Sequence, residues 1–375
     1  MKDFFLLDPD ITFLNHGSFG ACPKPIFKNY QYWQKKLEHQ PVLFFVDLVY
    51  RHLKESRISL SKFLGCNGDN IVFLQNPTTA ISNIIYSLKL DLGDEILMSD
   101  HEYGAVVRAW KKWSKKVGVK VIEQPIGLPV STKEKLIEDL SKGITKRTKV
   151  IFISHISSAT ALEFPVKDIC DLAKSKKIMT IIDGAHAPGQ VNVNLNHIDC
   201  DFFIGACHKW LCAPKGTSFL FAQKKHQEWL KPLIFSWGKY GDDPSSSIFL
   251  QEFQYQGTRD MSSFLTLPKV IEFFNDYIKG RRESCSKIIK KVGSELVDLL
   301  HTDPIYNHPE WINQMVSHPL PVSAPKNIKE ILWNDFKIEI PIFDWRGQRY
   351  IRVSCNVYNN YDDMDYLLNA LKTLF

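Results

Sequence analysis

Residues 179–190 read MTIIDGAHAPGQ, and residues 202–210 read FFIGACHKW. Each opens as a short apolar run without alternation and ends in polar, glycine-bearing sequence. That is how a strand buried on both faces runs out into a loop at the edge of a sheet. One such run ends at Asp183 and the other just before Lys209, so a carboxylate and an amine meet at the carboxyl edge of a sheet, where open α/β sheets bind ligands. Further runs of the same kind lie at 71–74, 95–98, 119–123, 150–154 and 218–221, with helical patterns between them. The alternation predicts an α/β fold built on a mostly parallel, seven-stranded sheet with crossover helices.

Other boundaries follow from local chemistry. Asn76-Pro77 supplies a helix cap and a proline at the first helical position, and Ile81, Ile84, Ile85 and Leu88 then trace one apolar face. Residues 24–64 read as two helices parted at Gln40-Pro41, where proline removes an amide donor. The stretch 236–247, SWGKYGDDPSSS, reads as a long loop near a domain boundary. Beyond it come a helical region over 262–300, a proline-rich connector, short strands near 337–341 and 350–354, and a closing helix after Asp362. This predicts a large domain over 21–250, a smaller α+β domain over 251–375, and an N-terminal segment, 1–20, packed with the smaller one.

The chain has 375 residues, of which 44% are hydrophobic and 23% charged, enough for large cores and incompatible with disorder or a disulfide mini-scaffold. Its net charge of +6, from 47 basic and 41 acidic residues, is spread along the chain, which argues against nucleic acid as a partner. Eight cysteines without a CxxC pair indicate neither a metal site nor a disulfide framework, and fit reduced thiols in a cytoplasmic enzyme. The opening MKDFFLLDPD is acidic where an export signal is basic, and no apolar run reaches the ~20 residues of a membrane span, so the expectation is a protein without a membrane partner.

Four strand ends carry the chemistry: Asp183 in DGAHAPGQ, Lys209 in GACHKW, the SHISSAT that follows residue 153, and Asn76 to Thr79 at a helix start. A lysine held in a dry site loses its proton more readily and becomes a usable nucleophile, whereas most lysines are solvated surface cations. Asp183, 26 positions earlier, could cap its loop or could keep a pyridine nitrogen protonated. The free amides after Asn76-Pro77, with the hydroxyls of Thr78 and Thr79, suit a phosphate ester.

Taken together, DGAHAPG and CHKWLCAPKG resemble the class V aminotransferase superfamily of fold type I pyridoxal phosphate enzymes. LNHGSFGACP near the start, SDHEYGAV at Ser99, GTRDMS at Gly257 and IRVSCNVYN at Ile351 resemble its isopenicillin N epimerase-like group. The resemblance covers nearly the whole chain and implies pyridoxal 5'-phosphate as cofactor. It implies that Lys209 carries the cofactor as a Schiff base and moves the proton at the substrate Cα, with Asp183 paired to the ring nitrogen. His186 falls where a glutamine often reaches the phenolic oxygen, and Ser158 where desulfurases have an asparagine. Thr78, Thr79 and His208 hold the phosphate, joined by Thr258 from the second subunit of a homodimer. Tyr103, or failing it His101, stacks on the ring. Arg352 grips the substrate α-carboxylate, and Asn15 and His16 line the same pocket, although His16 is as readily a structural histidine. Arg346 and Arg349 read as ordinary surface arginines.

Two departures stand out. Ala206 occupies the position, three before the lysine, where desulfurases place a hydroxyl. The stretch 332–351 holds no cysteine, so the mobile thiol that accepts sulfur as persulfide is missing, and Cys207, Cys212 and Cys355 are read as packing residues. The expected activity is epimerisation of an α-amino acid, with carbon–sulfur cleavage of a cysteine conjugate or transamination as alternatives, and a catalytically idle cofactor-binding protein as the alternative outside enzymology.

Overall fold

The computed structural model describes residues 1–375. Twelve strands form three sheets. In chain order they are β1 (Thr12–Phe13), β2 (Ile71–Leu74), β3 (Glu95–Ser99), β4 (Lys120–Gln124), β5 (Thr148–Ser154), β6 (Met179–Gly184), β7 (Phe202–Ala206), β8 (Ser218–Ala222), β9 (Met315–Pro319), β10 (Ile338–Glu339), β11 (Ile342–Trp345) and β12 (Gln348–Ser354). The seven-stranded sheet has the order β2-β8-β7-β6-β5-β3-β4. β8 runs antiparallel to both β7 and β2, while β7, β6, β5, β3 and β4 are mutually parallel. Six strands therefore end on one edge and β8 alone opposes them.

Each of the seven strands appears where the apolar runs predict it, within a residue or two at either end. Apart from the edge strand β4, whose residues are exposed or half-buried, they lack alternation because both faces are covered. Val72, Phe152, Ile181 and Ile204 face a core shared with the helices Pro77–Ser87 and Gly104–Val117; Ile71, Ile151, Ile182 and Phe203 face a second core of 77 residues. That second core also takes in the helix Val49–Leu64, the long helix Arg282–Leu300 and the C-terminal helix Tyr361–Lys372.

The C-terminal region carries more regular structure than its sequence suggests. The proline-rich connector contains β9 and a helix, Ile328–Asn334, and β9 is the edge partner of β12 in the order β11-β12-β9. β9 is hard to read because Ser317 and His318 are fully buried there; His318 Nε2 meets the Thr302 hydroxyl at 2.8 Å, so a polar pair occupies what a strand pattern expects to be apolar. The N-terminal segment joins this region directly, β1 pairing in parallel with β10. No helix is long and apolar enough to cross a membrane.

Candidate active site

The carboxyl edge of the large sheet opens onto a cavity of ≈ 170 Å³. Register decides who meets there: Ser154 at the end of β5 stands opposite Asp183 of β6, which stands opposite Ile204 of β7, two residues before that strand ends. Asp183, Ala185, His186, His208 and Lys209 line the cavity together with Thr78 and Pro77 and with Tyr103, Ser158, Ser18 and Phe19, among others.

Lys209 is half-buried in the cavity wall, and desolvation, reinforced by the Arg352 charge, lowers its pKa to about 8. Its Nζ lies 3.0 Å from His186 Nε2, and the indole Nε1–H of Trp210 donates to His186 Nδ1 at 3.3 Å. Burial keeps the His186 imidazole neutral, pushing its pKa well down. Asp183 accepts the Ala185 amide at 3.0 Å, and burial raises its pKa because no cation in contact replaces the lost water.

The Asn76 side chain caps the helix Pro77–Ser87, accepting from the Thr79 amide at 2.8 Å and the Thr79 hydroxyl at 3.1 Å. Thr78 thus reaches the cavity while Thr79 is committed to the cap. His208 Nδ1 faces the Thr217 carbonyl at 3.0 Å and so carries its hydrogen there, leaving Nε2 with the lone pair; burial lowers its pKa to about 4.

Arg352, on β12, is buried. It donates from Nη1 to the Ser158 carbonyl at 2.6 Å and hydroxyl at 3.2 Å, and from Nη2 to the Ser18 hydroxyl at 3.0 Å, while its Nε–H has no acceptor. Burial draws its pKa down to about 10, opposed by the nearby Tyr103 phenol. Tyr103 lines the cavity at the start of the helix Gly104–Val117. His101 instead points away: its Nδ1 meets Thr160 at 3.0 Å and its ring packs edge-on against Trp345 at 4.7 Å.

Asn15 and His16 stand behind the cavity. Asn15 donates to Glu339 at 3.0 Å and accepts from Ser18 at 2.5 Å, so it reaches Arg352 through Ser18. His16 is buried, its Nδ1 2.8 Å from the Tyr358 hydroxyl and its Nε2 3.1 Å from the Lys209 carbonyl oxygen, so it holds the backbone of the lysine. Thr258 is exposed and its hydroxyl meets that of Tyr255 at 2.8 Å, outside this cavity. Arg346 pairs with Asp100, and Arg349 donates to the carbonyls of Ala324 and Pro325. No cysteine lines the cavity, and all eight are unpaired thiols.

One residue escapes a reading of the sequence. Glu102 is fully buried, its carboxyl oxygens 2.5 Å from the hydroxyls of Ser99 and Ser154, and burial raises its pKa to about 8. Its partners end two different strands, and nothing in linear spacing joins them.

A lysine of lowered pKa, a buried carboxylate on the neighbouring strand and a capped helix start form a donor set suited to a phosphorylated pyridine aldehyde. The class-V aminotransferase family model matches residues 29–367. The chain is 30% identical to isopenicillin N epimerase of Amycolatopsis lactamdurans, over 98% of this chain and 96% of that one. It is 27% identical to a probable chloroplastic L-cysteine desulfhydrase of Arabidopsis thaliana, over 100% and 85% of the two chains. Among solved structures, a C-DES mutant with glycine covalently linked to the PLP cofactor superposes with a TM-score of 0.85 at 16% identity, covering 98% of this chain and 97% of that one. The protein is a fold type I pyridoxal phosphate enzyme. It belongs to the class-V aminotransferase family, with isopenicillin N epimerases among its relatives.

Proposed function

We propose that the protein removes the Cα proton of an α-amino acid whose carboxylate is held by Arg352, and that the outcome is epimerisation at that carbon. The observation that carries this reading is Lys209: an amine with its pKa brought down to about 8, 3.0 Å from His186, in the wall that also holds Asp183. When bound, pyridoxal phosphate supplies an electron sink for the charge left on the substrate Cα. Asp183 suits the ring nitrogen, because a cation there would relieve a buried carboxylate that now lacks one. Thr78, the helix amides and, less directly, Thr79 suit the phosphate, and His208 would join them by taking a proton on its bare Nε2 when the anion arrives; Ser158 and His186 suit the phenolic oxygen side. Arg352, with an unsatisfied Nε–H, suits a planar carboxylate, positioned by Ser18, Asn15 and the His16 layer behind. Tyr103, near Arg352, is the hydroxyl that could return a proton to the face away from Lys209.

Carbon–sulfur elimination is the second reading. Lys209 is the one amine in the cavity, and elimination of a β-sulfur needs a single base where epimerisation needs two proton carriers. A persulfide relay finds no support, since no thiol lines the cavity. Incubation with free amino acids and with cysteine conjugates in deuterated water separates the two: deuterium at Cα with inverted configuration supports epimerisation, and pyruvate supports elimination and overturns it.

The same reading takes the active form to be a homodimer in the cytoplasm, with Thr258 of one subunit serving the phosphate of the other and the chain divided into 21–250 and 251–375. Phe235, Trp237 and Tyr240 are 67%, 67% and 80% exposed, as befits a face that a second copy covers.

A further inference from the structure

Histidine in place of glutamine poses a chemical problem at position 186. A glutamine amide always offers a donor, but a neutral imidazole offers one donor and one acceptor and can exchange them. Here the choice is already made by a neighbour. An indole N–H can only donate, so above about pH 8, where Lys209 is a neutral amine able to accept, its 3.3 Å contact obliges His186 Nδ1 to present a lone pair. The hydrogen of the neutral ring then lies on Nε2, the atom 3.0 Å from Lys209 Nζ. In the other tautomer two N–H groups would face each other at the buried contact between Trp210 and His186.

We propose that Trp210 is a positioning residue that locks His186 in the Nε2–H tautomer, so that the imidazole presents a donor into the cavity and does the work of a glutamine amide. The inference rests on the reading that His186 serves the cofactor's oxygen. It also bears on the apoprotein: an Nε2–H aimed at Nζ requires the lysine to show its own lone pair, so the same contact favours the neutral amine. Trp210 is held in place by packing, its ring 4.9 Å from that of His16 and beside Ile156, Ala161 and Met315.

Nitrogen-15 NMR of the imidazoles in the apoprotein tests the lock directly, with the His186 resonances assigned by their loss in His186→Gln. At pH 9, where Lys209 is a neutral amine, the expected result is a protonated Nε2 and a bare Nδ1 in the unmodified protein; a proton on Nδ1 at that pH overturns the proposal, with no variant needed. Trp210→Phe keeps an aromatic ring and removes the donor, and should give mixed tautomers. Pyridoxal phosphate affinity, read by absorbance titration, should fall about fivefold in Trp210→Phe, the net worth of one hydrogen bond. In a His186→Gln background the same substitution should cost less than about twofold, since an amide has no tautomer to set. An equal loss in both backgrounds would mean that Trp210 acts by packing alone. Failure of the unmodified protein to take up the cofactor would overturn the functional reading, while the apoprotein resonances would still decide the tautomer.

Discussion

Glu102 Oε2 lies 2.5 Å from the Ser154 hydroxyl, and Ser154 stands opposite Asp183 across β5 and β6. Two carboxyl groups thus share one dry region, and Asp183 adds to the burial that lifts Glu102 to about 8. At neutral pH Glu102 keeps its proton, so of the two carboxyl groups Asp183 is the one placed to pair with a cation at the cavity.

The raised value carries a sign. A folded-state pKa above the ordinary 4.5 means stability present in full below pH 4.5 and lost as pH rises through about 8. Urea denaturation of the apoprotein across that window should show the decline, and Glu102→Gln, which keeps the shape and cannot ionise, should flatten it. An unchanged slope would show that Glu102 is ionised in the folded protein.

Lys209 titrates the other way. Because its pKa is lowered to about 8, the amine is neutral above that pH, well below the ordinary 10.5. The rate at which apoprotein takes up pyridoxal phosphate covalently should therefore rise with pH and level off near 8. A rise continuing toward 10.5 would contradict a desolvated lysine, and Lys209→Ala should abolish the lysine-bound visible band at every pH.

Adjacent threonines should behave differently. Thr78→Val removes a hydroxyl that faces the cavity and should weaken cofactor binding about fivefold. Thr79→Val should leave affinity nearly unchanged and instead lower stability by roughly 0.5–1 kcal/mol, because its hydroxyl belongs to the Asn76 cap. Equilibrium titration and thermal melting of the two variants separate these roles.

Arg352→Gln should raise KM for the amino-acid substrate by about 100-fold, the loss of charge-assisted hydrogen bonds to a carboxylate, while the cofactor band stays intact. A variant with unchanged KM would place the substrate carboxylate elsewhere.

The strand ends were legible because buried parallel strands announce themselves as unbroken apolar runs, and Asp183, Lys209 and Asn76 sit where those runs stop. Thr78 and Thr79 looked alike because only the cap geometry tells an inward hydroxyl from a committed one. Tyr103 and His101 are two residues apart at a turn, and the backbone direction there sends one to the cavity and the other against Trp345. Glu102 stayed hidden because its partners come from separate strands, and β9 because its buried positions are polar pairs.

Two glycines bound the lysine loop. A Cβ at Gly20 would fall 2.2 Å from the His208 carbonyl oxygen, and one at Gly189 would fall 2.6 Å from the Trp210 carbonyl carbon; both residues hold positive φ, +68° and +94°. The chain on either side of Lys209 is thus clasped between the N-terminal strip and the loop that follows Asp183, with no room for a methyl group on either side. The first twenty residues are in this sense a wall of the cavity, and trimming them would loosen the backbone that carries the Lys209 amine.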